Sequence, residues 1–195
     1  AVIDLADAFS SSSTVTCSSV NSLNLESYTH TLSNSAAATV FTGAGTITAG
    51  TSLIAITNTG STLKTFAGGG KTYYNLTTPS GTGGVAITGA NTFNTITVAP
   101  GGKLTLPKFT NTTVNGFVST DSAGNRITLL SSGTGQTAFL TDTSGQNFLE
   151  YTDVTDISTN SGVNWIACNN DTLTRSYGFG DLCAKNLTAQ RVRFN

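Results

Sequence analysis

The chain carries one histidine, His30, and this limits its chemistry at once. Ser-His-Asp and Cys-His sites use an imidazole as the base. Any such site would have to run through YTHTL, Tyr28 to Leu32. That segment alternates, and a position on a strand is the simpler reading of His30. The acids Asp142, Glu150, Asp153 and Asp156 cluster in the C-terminal half. Paired carboxylates on one face can cleave glycosidic bonds, with their spacing setting the roles of acid and base. Asp153 and Asp156 lie three apart, which puts them on opposite faces of a strand. At a turn, both would instead bond to local backbone amides. Oxygen ligands for Ca²⁺ are present, but the D-x-[DN]-x-[DN]-G loop pattern is not. Gly68-Gly69-Gly70-Lys71-Thr72 lacks the first glycine of a Walker loop and precedes a strand, so it reads as a tight turn. The cysteines are Cys17, Cys168 and Cys183, with no C-x-x-C pair. Cys168 and Cys183 could close a loop with a disulfide, worth about 3 kcal/mol in the chain-entropy model. Three buried, reduced thiols are the alternative. The expectation is therefore a chain with no catalytic residue, no cofactor and no metal.

The elements that must position these residues follow from composition. Thr, Ser, Gly and Asn supply 96 of the 195 residues, and charged residues only 10%. Strong helix formers are scarce, yet 37% of the chain is hydrophobic, too much for a disordered one. A net charge of -1 offers no electrostatic footprint for nucleic acid. No apolar run approaches the ~20 residues of a membrane helix. From about Thr39 onward, short alternating runs such as SLIAIT, TYYNLTT, TFNTITV, KLTL and RITLL are punctuated by Gly, Asn, Asp, Ser or Pro, which is the signature of strands.

Spacing separates a sandwich from a solenoid. YNLT at Tyr74, FNTITV at Phe93 and VNGFVS at Val114 recur at intervals of ~20 residues, and VAIT, KLTL and RITLL form a second, looser series. Such recurrence predicts stacked coils, in which like side chains sit on like and Thr and Asn ladder by hydrogen bonding. Phe93, Ile96, Val98, Leu104, Leu106, Ile127, Leu129, Phe139, Leu149 and Tyr151 are the expected core. The ordered phrases GGGKTYYNLT, ITGANTFNTITV, ITLLSS and EYTDVTD, ending at Trp165, cover about Thr65 to Ala167. In that order they resemble a repeat-rich β-helical region of tailed-phage virion proteins and related bacterial surface proteins. The resemblance implies a right-handed parallel β-helix in a structural or adhesive role.

The expected architecture is thus all-β, a short parallel β-helix over residues 41–167. Residues 1–40 are read as an N-terminal attachment arm and 168–195 as a C-terminal cap or contact segment. In AVIDLADAFS the apolar Val2, Ile3, Leu5 and Phe9 are the expected assembly contact, carried on a short helix or docking arm or on a strand that covers one end of the core. Ala1 is the kind of residue left after removal of an initiator Met, which would make this an entire gene product; a processed fragment is the alternative. The expected function is that of a phage decoration, fibre or tail-associated subunit in an extracellular particle. Its partners would be other virion proteins and further copies of itself, with a host-surface glycan as candidate ligand. The alternatives are a carbohydrate-binding or depolymerising tailspike-type module and a bacterial surface adhesin or filament subunit.

Overall fold

The computed structural model describes every residue except 1, 37, 44, 120–123, 144, 146, 160–164, 169–171 and 180–195. The described residues form 21 strands and no helix. All of the strand pairing is parallel, apart from one isolated bridge between Gly133 and Gln136. The strands stack as a β-solenoid of about seven turns.

Its geometry follows from the spacing of apolar residues. One eight-stranded sheet runs from Ser10–Ser11 through Thr29–Leu32, Leu53–Ile56, Thr72–Thr78, Thr92–Val98, Asn111–Ser119 and Ala138–Asp142 to Ile157–Thr159. A second runs from Val15–Thr16 through Thr39–Thr42, Lys64–Ala67, Val85–Thr88, Lys103–Leu106, Ile127–Ser131 and Thr152–Thr155 to Thr172–Thr174. A three-stranded sheet of Val2–Asp4, Ser22–Asn24 and Thr46–Thr48 closes the N-terminal coils, and Asn147–Glu150 with Trp165–Cys168 closes the C-terminal ones. In the central coils one long strand does the work of two short ones. Asn111–Ser119 pairs with Thr92–Val98 through residues 113–119, and with Ala138–Asp142 through residues 111–114. Its C-terminal half packs beside Asn147–Glu150.

The register explains the imperfect period. Thr72 lies beside Thr92 and Thr92 beside Thr113, whereas Thr29 lies beside Leu53 and Asn111 beside Phe139. Turn length changes between coils, while the inward rows stay aligned. One such row is Ile54, Leu76, Ile96 and Phe117; another is Val85, Leu104, Leu129 and Val154. All eight are buried. Burying each is worth ~1.5–3 kcal/mol. Near the N-terminal third the filling is aromatic. Phe41 and Phe66 stack at 4.9 Å between centroids, Tyr73 and Phe93 at 5.6 Å, and Tyr73 meets Phe66 edge-on at 5.0 Å.

Two expected core residues face elsewhere. Phe139 is half-buried on the outward side between Asn111 and Ser158, because regular alternation along the strand turns its neighbours Ala138 and Leu140 inward. Tyr151 occupies a left-handed corner at φ 52. The other eight are buried.

The N-terminal segment takes the strand alternative and not the separate arm or helix: its strands join the stack, and Leu5, Phe9 and Val15 pack against the core. Val2–Asp4, Ser10–Ser11 and Val15–Thr16 pair in parallel with strands of the next coil. Solenoid architecture thus begins well before residue 40. Its strands there are only two or three residues long, so their alternation is too brief to read from sequence.

Candidate functional site

His30 is fully buried in the inward row that continues to Ile54. Its Nε2 lies 2.9 Å from the Leu25 carbonyl oxygen, and the Phe9 amide approaches Nδ1 at 3.4 Å. A carbonyl oxygen only accepts and an amide N–H only donates, so Nε2 carries the proton and Nδ1 receives one. The Phe9 ring stacks on the imidazole with centroids 4.5 Å apart. Nε2 thus braces a corner within the second coil, while Nδ1 and the stacked Phe9 ring hold the first coil to the second.

The acids are separated and engaged. Asp153 points outward from its strand and makes a forked ion pair with Arg126, the shortest contact being 2.6 Å. That guanidinium holds its carboxyl below the usual range. Asp156 sits at a left-handed corner, φ 58, and is gripped by Arg175 at 2.5 and 2.8 Å, with the Gly135 amide donating at 2.8 Å. The Arg175 hydrogen bond, against the cost of burial, lowers its carboxyl as well. The corner, and not a strand face, is thus what separates the two. Asp142 is buried and accepts from Asn147 Nδ2 at 2.8 Å, while Asn147 Oδ1 accepts the Phe117 amide at 2.7 Å. Glu150 is exposed. No three His, Cys, Asp or Glu side chains come together among the described residues.

The glycine-rich Gly68–Thr72 segment is a corner. Gly69 and Gly70 have φ 68 and 72. The Gly70 and Lys71 amides, which a phosphate would need, both donate to Asn91 Oδ1, at 3.0 and 3.1 Å. Asn91 Nδ2 in turn donates to the Thr88 and Gly89 carbonyls. Cys17 is a free, buried thiol, pushed up by burial. Its neighbour Tyr73, whose hydroxyl donates to the Gly68 carbonyl at 2.8 Å, is pushed up by burial too. Cys168 ends a strand, but its side chain and all of Cys183 lie outside the described residues. The Cys168–Cys183 pairing lies there as well.

The expected assembly residues occupy the N-terminal end of the stack. Val2 is 76% exposed and Ile3 37%, whereas Leu5 and Phe9 pack partly onto the core. Beside them is an open groove of about 460 Å³ lined by Asp4, Leu5, Ala6, Glu26 and Tyr28. Asn24 Nδ2 donates to Asp4 Oδ1 at 2.9 Å and also to Glu26 Oε1. Two carboxylates thus meet on one Asn24 side chain.

Sequence reasoning missed three structural residues. Asn91 gives no signal in a chain so rich in Asn. Asn147 is hidden for the same reason. Lys64 is fully buried, in the row that continues to Val85, and its Nζ donates to the Ser35 carbonyl at 2.8 Å. Its place at the head of the apolar alternation in KTFA was the available signal. No family model, no curated protein and no solved structure matches the chain.

Proposed function

We propose that this chain is a non-enzymatic structural subunit of a phage virion, of the decoration, fibre or tail-associated kind, mediating assembly or surface attachment. The ordered phrases from Thr65 to Trp165 supply the virion part of this reading. The structural part is carried by one observation. The acids nominated for chemistry, Asp153 and Asp156, are each spent on an arginine, while Val2–Asp4 is paired on one edge only among the described residues, with Val2 and Ile3 exposed. An edge of that kind is a template for pairing. Cryo-EM of the native particle tests the reading: density for the solenoid in contact with other virion proteins is expected, and a purified particle without the chain overturns it. Incubation with capsular glycans should release no reducing ends; turnover that disappears in Asp153→Asn or Asp156→Asn would make the chain a depolymerase.

A glycan-binding reading is favoured by a separate observation. Phe109 and Tyr177 are each 66% exposed. Tyr177 bridges Ser158, the next outward position beyond Phe139. Aromatic faces flanked by hydroxyls and amides suit sugar rings, which are apolar on one side and polar at the rim. Glycan-array binding lost in Phe109→Ala and Tyr177→Ala would support it; equal binding by both variants would remove it.

A further inference from the structure

We infer that the solenoid corner carrying Phe109, Phe139 and Tyr177 is a binding strip for an extended, carboxylated polysaccharide laid along the solenoid axis. The inference rests on the glycan-binding reading above, and it adds the direction of the bound chain, its repeat and its charge.

Strand pairing aligns the rings. Asn111 lies beside Phe139, Phe139 beside Ser158, and Ser158 beside Tyr177. These four outward positions belong to consecutive coils, next to the corner where the chain passes from one eight-stranded sheet to the other. Phe109 sits in that corner just before Asn111, and its amide donates to the Thr137 carbonyl of the coil that carries Phe139, at 2.7 Å. Its backbone is left-handed, φ 56, while its ring stands in solvent. An aromatic residue in that conformation is strained, and burial of the ring does not repay the strain. Strands repeat at ~4.8 Å, so Phe139 and Tyr177, two coils apart, are separated by roughly 10 Å along the axis. The strip from Phe109 to Tyr177 covers about 14 Å. Ser158, half-buried, stands between Phe139 and Tyr177.

Spacing and charge identify the occupant. A sugar ring stacks its apolar face on an aromatic one and keeps its polar rim in water. In an extended β-1,4-linked chain every second ring turns the same face to one side, and the disaccharide repeat is close to two strand spacings. Two aromatic rings placed two coils apart, with a serine between them, therefore suit one such chain running along the axis and not across it. Lys108, beside Phe109, is exposed and forms no ion pair among the described residues. Its stem lies against Gly133 of the next coil, toward Phe139. Asp153 and Asp156, on the coil of Ser158, are each neutralised by an arginine. The strip thus keeps an unmatched cation at its Phe109 end, and a carboxylate on the bound sugar is its complement. Single-stranded nucleic acid also stacks on aromatic side chains, but it is held by a groove of cations along its backbone, and Lys108 alone does not make one.

The test is calorimetric titration of the full chain with β-1,4-linked oligoglucuronates and with cello-oligosaccharides of the same lengths, which share a backbone and differ in the carboxylate. The glucuronate hexamer should bind about fivefold more tightly than the cello hexamer, the scale of one exposed ion pair, and this preference should shrink as salt rises. It should also bind about tenfold more tightly than the glucuronate dimer, which cannot reach from Phe139 to Tyr177. Lys108→Glu should erase the preference for the carboxylated chain, and Phe109→Ala/Tyr177→Ala the advantage of the hexamer over the dimer. Melting curves establish that the variants are folded, and the wild-type comparisons stand without them. Equal binding of the two hexamers, equal binding of dimer and hexamer, or a charge preference unmoved in folded Lys108→Glu would overturn this inference and leave the glycan reading standing. Tighter binding of a thymidine hexanucleotide than of the glucuronate hexamer would make the strip a nucleic-acid site and overturn the inference as well. A wild-type chain that binds neither hexamer would remove both the inference and the glycan reading.

Discussion

Asn91 does with one side chain what a longer turn would otherwise need several residues to do. It is fully buried, accepts two backbone N–H groups from the corner of the preceding coil and donates to two carbonyls of its own. Asn91→Ala leaves those groups dry and unpaired, at about 1–3 kcal/mol for each one that water cannot reach. A loss of about 2–4 kcal/mol in a denaturant melt is expected. Ile96→Asp is more severe, because it places a lone charge in the fully buried row between Leu76 and Phe117; the variant should not fold, as judged by circular dichroism. Asp153 and Asp156 give the chain an acid sensitivity. Both carboxyls are held below their unfolded values by arginine. The unfolded chain therefore binds more protons between the two values, and stability rises with pH through that window. The contribution is complete above the ordinary carboxylate range near ~4 and disappears as pH falls through the folded values. Urea melts of Asp156→Asn should show a shallower loss of stability on acidification below about pH 4 than the parent.

The first coil is the element whose role changes most between sequence and structure. Leu5, Phe9, Val15 and Val20 pack on the core, and Phe9 lies over His30. Removing residues 1–13 strips the stacked ring, the amide that approaches Nδ1 and two short strands. The buried Leu25, His30 and Leu32 beneath them would then be uncovered. Such a truncation should melt several degrees lower than the parent, as expected when a solenoid loses a capping coil. An unchanged melt would show that the first coil is not energetically coupled to the second.

At the scale of the molecule, each coil contacts chiefly its two neighbours. Stability in such a stack is close to a sum of coil and interface contributions, so it is lowest at the ends. Hydrogen exchange should be slowest in Thr72–Leu106, where long strands pair on both sides and the Phe66, Tyr73 and Phe93 rings interlock. It should be fastest in Val2–Asp4 and Thr172–Thr174, each paired on one edge only among the described residues. Uniform protection along the chain would argue for a single cooperative unit.

Sequence by itself determined the class of fold. Inward rows demand strict alternation, and a row aligned over several coils demands a recurrence, so Phe93, Ile96, Leu104 and Leu129 could be placed in the core before any coordinates. The engagement of the acids was half legible: the spacing of Asp153 and Asp156 argued against a shared face, but their arginines lie 27 and 19 residues away in sequence. The N-terminal coil was legible only as one alternative, a strand against the core, and the meeting of Asp4 with Glu26 was not legible at all. A two- or three-residue strand carries too little alternation to be read, and only its pairing with the coil above reveals it. Asp4 and Glu26 are twenty-two positions apart, and they become one site because the solenoid advances one coil in about that many residues. Only the tertiary structure could decide which residues of successive coils coincide, because turn length varies from coil to coil while the strand spacing is fixed by backbone hydrogen bonding.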